Sequence, residues 1–326
     1  MKPFAYSRPQ SLEEAMRLGA EPGAKFLAGG TNLVDLMKLE VERPTGVVDL
    51  GAVLDREIRE LDGGAVRIGA GVRNTELGAD PVIRRKYPAV SRAVLAGASG
   101  QVRNLATTGG NLLQRNRCVY FQDVSRPCNK RDPGSGCPAV ATGGASRGLA
   151  IFAQDPVCIA THTSDLAVAL TAFDAELVIA GNDGERRVPI EGFYTFDGRE
   201  PGRETVMGPG EIIVAVELPA LSFAPNSRYA KVRDRASFAF ALVSVAAALD
   251  VEADTIVGAR LALGGVAHKP WRAHVAERAL IGAAPTPDTF ASAITAELGS
   301  ATPTADNAFK VTLARNLVVS TLTGLA

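Results

Sequence analysis

Apolar and polar positions along the first fifty residues follow a pattern that predicts a small parallel α/β unit. Ser11 and Glu14 in SLEEAMRL form a capping box, which is typical of the start of a helix. KFLAGG (25–30) predicts a short buried strand ending in a glycine turn, NLVDLMKLE (32–40) has helical spacing, and GVVDL (46–50) predicts a second strand. The order helix, strand, helix, strand indicates parallel pairing.

The middle of the chain carries more strand patterns. IREL and AVRIGAG with DGG between them predict a hairpin, and AGNDGERRV predicts another through its Asp-Gly turn. Helices are expected at about 74–79, 81–86 and 88–97. Further strands are expected at 149–152, 158–162, 176–181, 185–190 and 211–219.

The last third is predicted to pack strands with helices. The apolar run FAFALVSVAAAL has about the length of a buried helix, and we predict a helix over 238–248. TIVGARLALGGVAHKPWRA predicts strands, and the segments after it predict a helical tail. A loop follows Pro219, and we place a domain boundary near residue 222.

Length and composition limit the classes of protein that fit. A chain of 326 residues is longer than a domain with a single hydrophobic core usually is. The formal net charge is +0. There is thus no broad electrostatic case for a nucleic-acid partner or an anionic membrane. No apolar run approaches the roughly 20 residues that span a bilayer, and the N-terminus lacks the features of a secretory signal. We therefore expect neither nucleic-acid binding nor membrane insertion.

Two glycine turns are the first candidates for chemistry. AGGTNL (28–33) follows a predicted strand and opens a predicted helix, and ATTGGNL (106–112) has almost the same composition. Glycines let a ligand approach the backbone closely, and N–H groups at such turns suit phosphate. One Gly-Gly turn is more often a plain tight turn, but two could hold the two phosphates of a dinucleotide. Neither has the GxGxxG spacing of the usual NAD-type site.

These motifs resemble a known family. KFLAGGTNLVDLMK and VRNLATTGGNL, followed by TSDLAVAL, EIIVAVELP and YAKVRDRASFAFALVS, are similar to the flavoprotein subunit of the xanthine dehydrogenase and aldehyde oxidoreductase family of molybdenum hydroxylases. The resemblance covers essentially the whole chain. It implies an α+β, two-lobed FAD-binding fold of the vanillyl-alcohol-oxidase (PCMH) type and a C-terminal α+β domain with a three-stranded sheet.

The same resemblance implies domain limits. The FAD-binding domain would span 1–222, with a small lobe at about 1–55 and a larger lobe at about 56–222. The C-terminal flavoprotein domain would span 223–326.

The resemblance also assigns FAD-binding residues. Thr107, Gly110 and Asn111 would form the second turn, Asp165 would accept hydrogen bonds from the cofactor, Ile213 would pack on the flavin, and Lys231 would lie near its polar edge. The segment around the pyrophosphate would comprise Lys25, Phe26, Leu27, Ala28, Gly29, Gly30, Thr31, Asn32 and Leu33.

Plainer interpretations exist for three of these residues. Asp165 could simply cap the helix that follows it. Ile213 lies in an alternating strand pattern and could be ordinary core, and Lys231 beside Arg233 could be a solvated pair.

All four cysteines, Cys118, Cys128, Cys137 and Cys158, lie in one short part of the chain. Disulfides would suit the even count but need an oxidising compartment. Structural zinc usually shows paired CxxC motifs, which are absent here. The third interpretation is an iron–sulfur cluster held by four thiolates, which could organise a loop too polar to build a core.

The resemblance favours the cluster. The insertion at about 113–148 is similar to one in the FAD subunits of bacterial periplasmic aldehyde oxidoreductase and of 4-hydroxybenzoyl-CoA reductase, which carry a [4Fe–4S] cluster there. It therefore implies a [4Fe–4S] cluster on the four cysteines. The insertion is also basic, and its charges could be solvated, dock a partner or complement the cluster: Arg115, Arg117, Arg126, Lys130 and Arg131.

The implied function is electron transfer. A large molybdenum-cofactor subunit would oxidise the substrate, an aldehyde, and a small subunit would carry [2Fe–2S] clusters. FAD on this chain would pass the electrons to an external acceptor, and no residue of this chain would be catalytic toward the organic substrate. The alternatives are a stand-alone FAD oxidase and a zinc-stabilised scaffold without a redox role. The compartment would be the cytoplasm, or the periplasm if a signal-bearing partner exports the complex.

Overall fold

The computed structural model describes residues 1–196 and 198–326, and its first layer is the predicted parallel unit with one further strand, Ala5–Ser7, that was not predicted. Three parallel strands, in the order β1-β3-β2, pack against two helices. The Ser11 hydroxyl accepts a hydrogen bond from the Glu14 amide at 3.1 Å, as the capping box predicts. The elements are β1 (Ala5–Ser7), α1 (Leu12–Gly19), β2 (Ala24–Leu27), α2 (Leu33–Lys38) and β3 (Gly46–Asp49).

The larger lobe is built on a five-stranded antiparallel sheet in the order β4-β5-β8-β6-β7. Both predicted hairpins are present in it, as β4–β5 and β6–β7. Its strands are β4 (Ile58–Glu60), β5 (Val66–Gly69), β6 (Glu176–Gly181), β7 (Gly184–Pro189) and β8 (Ile212–Leu218).

Most helices of this lobe pack on one large hydrophobic core, and the three that follow β5 confirm their prediction within a residue. Every residue of α10 is buried, because this helix lies between the larger lobe and the C-terminal sheet. The helices are α3 (Asn74–Ala79), α4 (Pro81–Lys86), α5 (Pro88–Ala96), α6 (Gly100–Arg103), α7 (Thr108–Leu112), α8 (Val119–Gln122), α9 (Pro138–Ala141), α10 (Asp165–Ala172) and α11 (Ile190–Phe193).

The C-terminal domain has a four-stranded antiparallel sheet, not the expected three strands, because a two-residue strand extends its edge in the order β12-β11-β10-β9. Its strands are β9 (Ser227–Val232), β10 (Val243–Glu252), β11 (Thr255–Gly264) and β12 (Trp271–Arg272). Three helices cover one face of the sheet: α12 (His274–Leu280), α13 (Pro287–Leu298) and α14 (Phe309–Thr323).

The predicted helix over 238–248 is wrong, since its apolar part is strand β10. Val245 and Ala247 face the core under the C-terminal helices, whereas Ala246 and Ala248 face the core of the larger lobe. A strand buried on both faces has a continuous apolar run, so its length resembles that of a buried helix.

The strands predicted at 149–152 and 158–162 are also wrong. Both segments are irregular, although Ile151 and Phe152 donate backbone hydrogen bonds to Val266 at 2.8 and 3.0 Å. They are apolar because Ile151 and Phe152 fill the C-terminal core and Ile159 fills a small cluster beside the cysteines.

Among the helices in the described part of the chain, none is long and apolar enough to cross a membrane.

Candidate functional site

The two glycine turns lie against each other. A Cβ added to Gly29 would lie 2.0 Å from the carbonyl oxygen of Leu105, just before the second turn. A Cβ added to Gly110 would lie 4.0 Å from the Ala28 Cβ in the first turn. Gly30 has φ +72°, a backbone conformation that favours glycine. Segments far apart in sequence therefore form one surface, and at position 29 of this surface only glycine fits.

Asn32 links the first turn to the insertion. Its Oδ1 accepts a hydrogen bond from the Arg115 backbone N–H at 2.9 Å. Its Nδ2 is buried and, within residues 1–196 and 198–326, has no hydrogen-bond partner. A buried donor without a partner costs free energy, so this amide suits an acceptor such as a phosphate oxygen of a bound cofactor.

The second turn is held by its own side chains. Thr107 caps α7 by accepting a hydrogen bond from the Gly110 amide at 3.2 Å. Asn111 Oδ1 accepts a hydrogen bond from the Ser164 hydroxyl at 2.6 Å, which connects this turn to the start of α10. The turn, its asparagine and the TSDL motif are thus neighbours.

The remaining residues of the first segment have mostly local roles in the protein. Lys25 on β2 forms an ion pair with Glu42 at 3.3 Å, and Phe26 packs in the small-lobe cluster. Leu27, Thr31 and Leu33 are half-buried beside the turn.

Asp165 and Lys231, which were predicted separately, form one buried ion pair. Lys231 Nζ lies 2.7 Å from Asp165 Oδ2, and the side chains are 4% and 8% exposed. The Tyr229 hydroxyl donates to the other carboxylate oxygen at 2.5 Å. Ser164, not Asp165, caps α10 by accepting from the Ala167 amide. The plainer interpretations, a capping aspartate and a solvated lysine, are therefore wrong.

Ile213 lies on β8 opposite Ile179 and is 3% exposed in the main hydrophobic core. These surroundings are those of an ordinary core residue, and its contact with a flavin stays a prediction.

The four cysteines line one cavity of about 10 Å³, together with Tyr120, Phe121, Leu149 and Ile159 among others. All four thiols are free. In the described part of the chain, no group of three or more His, Cys, Asp or Glu side chains is placed to hold a metal ion. A cavity of this size has room for one water. A four-iron cluster would therefore need the insertion to move outward around it.

Two side chains of the insertion connect the segments that carry Cys128, Cys137 and Cys158. Asn129 donates to the Val157 carbonyl at 2.9 Å and accepts from the Gly136 amide at 2.8 Å. The Ser135 hydroxyl accepts from the Cys128 amide at 3.0 Å. These polar bonds add to the small apolar clusters around Tyr120 and Phe121.

Burial disfavours the thiolate form of two cysteines. It raises the pKa of Cys118, and it raises the pKa of Cys158 to about 12. The positive charge of Lys130 acts in the opposite direction on the pKa of Cys158. Four thiolates at this place would need compensation by metal or by nearby cations.

A second, polar cavity of about 240 Å³ adjoins the first. The two share Asn116, Lys130 and Ala160 as walls. His162 lines the second cavity and packs on the Tyr194 ring, with centroids 4.3 Å apart. Burial lowers the pKa of His162 to about 4, so its imidazole is neutral at neutral pH.

Most basic residues of the insertion have partners inside the protein, which disagrees with a simply solvated loop. Arg117 pairs with Asp35 at 2.6 Å, and Arg131 donates to the carbonyls of Tyr120 and Phe121 at 2.7 and 2.8 Å. Arg126 is 64% exposed.

Three acidic or phenolic partners were missed by sequence reasoning. Glu204 pairs with Lys130 and Arg115, Glu42 pairs with Arg115, and Tyr229 binds Asp165. The partner of each residue lies far away in the sequence, so no local pattern could have shown the pairing.

Comparison with known proteins places this arrangement among flavoproteins. Residues 2–221 match the model of the FAD binding domain in molybdopterin dehydrogenase, and residues 228–325 match that of the CO dehydrogenase flavoprotein C-terminal domain. The chain is 50% identical over 325 residues to the aldehyde oxidoreductase FAD-binding subunit PaoB of Escherichia coli (strain K12), covering 99% of this chain and 98% of that protein.

More distant relatives share the fold. The chain is 28% identical over 284 residues to the glyceraldehyde dehydrogenase medium chain of Sulfolobus acidocaldarius, covering 86% of this chain and 81% of that one. It superimposes on a chain of reconstituted CO dehydrogenase from Oligotropha carboxidovorans with a TM-score of 0.77 and 22% identity, covering 100% of this chain and 99% of that one. This likeness confirms the predicted fold class.

Proposed function

The chain belongs to the family of FAD-binding subunits of molybdenum hydroxylases, and we propose that it is the electron-transfer subunit of an enzyme that oxidises aldehydes. In this role it takes electrons from [2Fe–2S] centres of a small partner subunit and passes them to an external acceptor. A large partner subunit with the molybdenum cofactor oxidises the aldehyde. The support is the 50% identity to an aldehyde oxidoreductase FAD-binding subunit over nearly the full length.

The single structural observation that carries the FAD assignment is the contact between Gly29 and Leu105, which joins the two glycine turns. At this surface the Asn32 Nδ2, which has no hydrogen-bond partner among the described residues, and the backbone of both turns would bind the pyrophosphate. The Asp165–Lys231 pair, reached through Ser164 and Asn111, would orient the cofactor. FAD supplies the electron-accepting chemistry when bound, and the protein supplies position and electrostatics.

The proposed domain limits stay near residue 222. They are supported by the two family matches, which end at 221 and begin at 228. The glycine turns and all four cysteines lie before this boundary, so both proposed cofactors belong to the FAD-binding domain.

We further propose that the four cysteines hold a [4Fe–4S] cluster. The donor set supports this: four thiols line one cavity, and soft thiolates are the ligands of iron–sulfur clusters. Cys118, Cys128, Cys137 and Cys158 would each hold one iron.

The proposed location of the substrate site on a partner subunit predicts the activity of the isolated chain. Purified alone, it should contain FAD but should not oxidise aldehydes with a dye acceptor, since the proposed substrate site lies on another subunit. Co-expression with its large and small partner subunits should restore turnover. Sustained aldehyde oxidation by the isolated chain would contradict the proposal.

A Cys128→Ser variant tests the cluster. Serine replaces a soft thiolate by a poor iron ligand. Wild-type chain purified without oxygen should contain about four iron and four acid-labile sulfide, and the variant should contain clearly less of both. The loop between Cys118 and Cys137 should then become sensitive to protease, because ligand binding and loop order are coupled. Wild-type protein free of iron and sulfide would end the cluster proposal.

A further inference from the structure

Lys130 is a buried cation in the wall between the two cavities. Its side chain is 4% exposed, and it lines both the four-cysteine cavity and the polar cavity beside it. It follows Cys128 by two positions. A lysine is rarely buried this completely unless its charge is compensated or used.

The compensation comes from Glu204. Lys130 Nζ lies 2.8 Å from Glu204 Oε1, and Arg115 contacts the other oxygen of the same carboxylate. Burial by itself would raise the pKa of Glu204, but the charges of Arg115 and Lys130 outweigh burial and lower it. Glu204 is therefore ionised at neutral pH, and Lys130 takes part in a charged network.

The network continues to the first glycine turn. Arg115 Nη1 lies 2.6 Å from Glu42 Oε1, and Glu42 Oε2 lies 3.3 Å from Lys25 on β2. The five charges alternate in sign from the cysteine cavity to the strand that precedes the first glycine turn. Three are positive and two are negative, so a net positive charge remains, and Lys130 is its member nearest the thiols.

Such a charge acts strongly on a group in a low-dielectric cavity. A cation near an iron–sulfur cluster stabilises the state with the extra electron, because that state carries one more negative charge. An anion at the same place does the opposite. The exposed Arg126, which pairs with Asp123 at 3.6 Å in the same insertion, is screened by water and should have little effect.

We propose that Lys130 and Glu204 set the reduction potential of the cluster at the four cysteines, Lys130 raising it and Glu204 lowering it. This inference rests on the cluster proposed above. It assigns to both residues a role as fixed charges, distinct from the role of the cysteines as ligands.

The test is a redox titration of the cluster, followed by its EPR signal with dithionite as reductant. The full-length chain is compared as wild type, Lys130→Met, Glu204→Gln and Arg126→Met. We expect Lys130→Met to lower the ratio of reduced to oxidised cluster at a given potential about tenfold, a shift of about 59 mV for a one-electron couple. Glu204→Gln should shift the midpoint in the positive direction. Arg126→Met, which removes the same charge from an exposed place, should match the wild type.

Iron and sulfide analysis of the wild type separates the two proposals. Absence of both from the wild type refutes the cluster itself. A normal cluster content with an unchanged midpoint in Lys130→Met and Glu204→Gln overturns the role of the pair. Shifts of the same sign in both variants also overturn it, because they would indicate a general disturbance of the loop.

If Lys130→Met fails to assemble a cluster, Glu204→Gln and Lys130→Arg decide the question. Lys130→Arg keeps the charge and should retain a midpoint near that of the wild type, while Glu204→Gln must still shift upward. An unchanged midpoint in Glu204→Gln would overturn the proposal.

Discussion

At the residue scale, the contact between the glycine turns leaves no space for a side chain at Gly29. The carbonyl oxygen of Leu105 would lie 2.0 Å from an added Cβ, and backbone atoms cannot move away as a flexible side chain can. Gly30 differs, because glycine is favoured there by the backbone angle φ of +72°. A Cβ added at Gly30 would lie 3.2 Å from the Val34 side chain, which can move.

A Gly29→Ala variant should separate the turns and lose FAD. We expect FAD affinity to fall at least tenfold and the free energy of unfolding to fall by about 1–3 kcal/mol through overpacking. Flavin absorbance per chain and urea unfolding measure the two effects.

Gly46→Ala is the matched control, since a Cβ at Gly46 on β3 would meet nothing within 4 Å. It should keep both FAD and stability. Full flavin occupancy in Gly29→Ala would contradict the assigned contact surface.

At the element scale, the most informative difference concerns β10 and the segments near it. The run was apolar enough for a helix, but neighbouring β9 and β11 provide hydrogen bonds to both of its edges and cores lie on both of its faces. Pairing partners distant in sequence decide between helix and strand for such a run. A local pattern could not reveal them.

A short turn before α14 holds the end of the insertion. Asn307, which is fully buried, donates hydrogen bonds to the carbonyls of Ser146, Leu149 and Ala150 at 3.1–3.3 Å. The C-terminal domain thereby anchors the chain that leaves the cysteine insertion.

An Asn307→Ala variant should lower the free energy of unfolding by about 1–3 kcal/mol, because it removes the hydrogen bonds that this buried side chain donates to the three carbonyl groups. It should also make the segment around residue 146 more sensitive to protease. Urea unfolding and limited proteolysis measure both effects. Asn316→Ala, an exposed position on α14, is the control and should behave like the wild type. Equal stability of the two variants would argue against the anchoring role.

At the scale of the whole molecule, Lys310 on α14 connects this helix to the segment around Leu149 and to the turn after β11. Its buried Nζ donates hydrogen bonds to the carbonyls of Leu149 and Gly265, each at 2.8 Å. Burial, with a smaller contribution from Arg147, lowers the pKa of Lys310 to about 7. In the unfolded chain its pKa is about 10.4.

The sign of the pH dependence follows from these values. Between pH 7 and about pH 10 the unfolded state binds more protons at this residue, so the stability of the fold rises with pH; below pH 7 the contribution is constant. The free energy of unfolding of the wild type, relative to Lys310→Met, should rise by about 2 kcal/mol from pH 7 to pH 9. Urea unfolding at several pH values measures this slope.

Lys2→Met, at an exposed position, is the control for that comparison and should run parallel to the wild type across the same pH range. A Lys310→Met curve that is also parallel would show that Lys310 titrates normally in the folded protein.

The sequence by itself determined the features that depend on local chemistry. The Gly-Gly turns, the capping of α1 by Ser11, the helix and strand pattern of the small parallel unit and the grouping of four thiols in one short part of the chain all follow from neighbouring residues. The motif order was also sufficient to indicate the family and its fold class. Such features need only a few adjacent residues, whose backbone preferences and side-chain chemistry are the same in any context.

Only the tertiary structure decided which distant residues meet. It brought Asp165 to Lys231, placed Gly29 against Leu105, and made one charged network from Lys25, Glu42, Arg115, Glu204 and Lys130. Burial required partners for Lys130, Asp165 and Lys231, because a charged side chain in a low-dielectric interior must find a partner wherever the fold provides one. Burial on two faces likewise made a strand of a run that looked helical. Sequence patterns show the local preference of a segment. Which charges are paired and which faces are buried depends on how the whole chain packs.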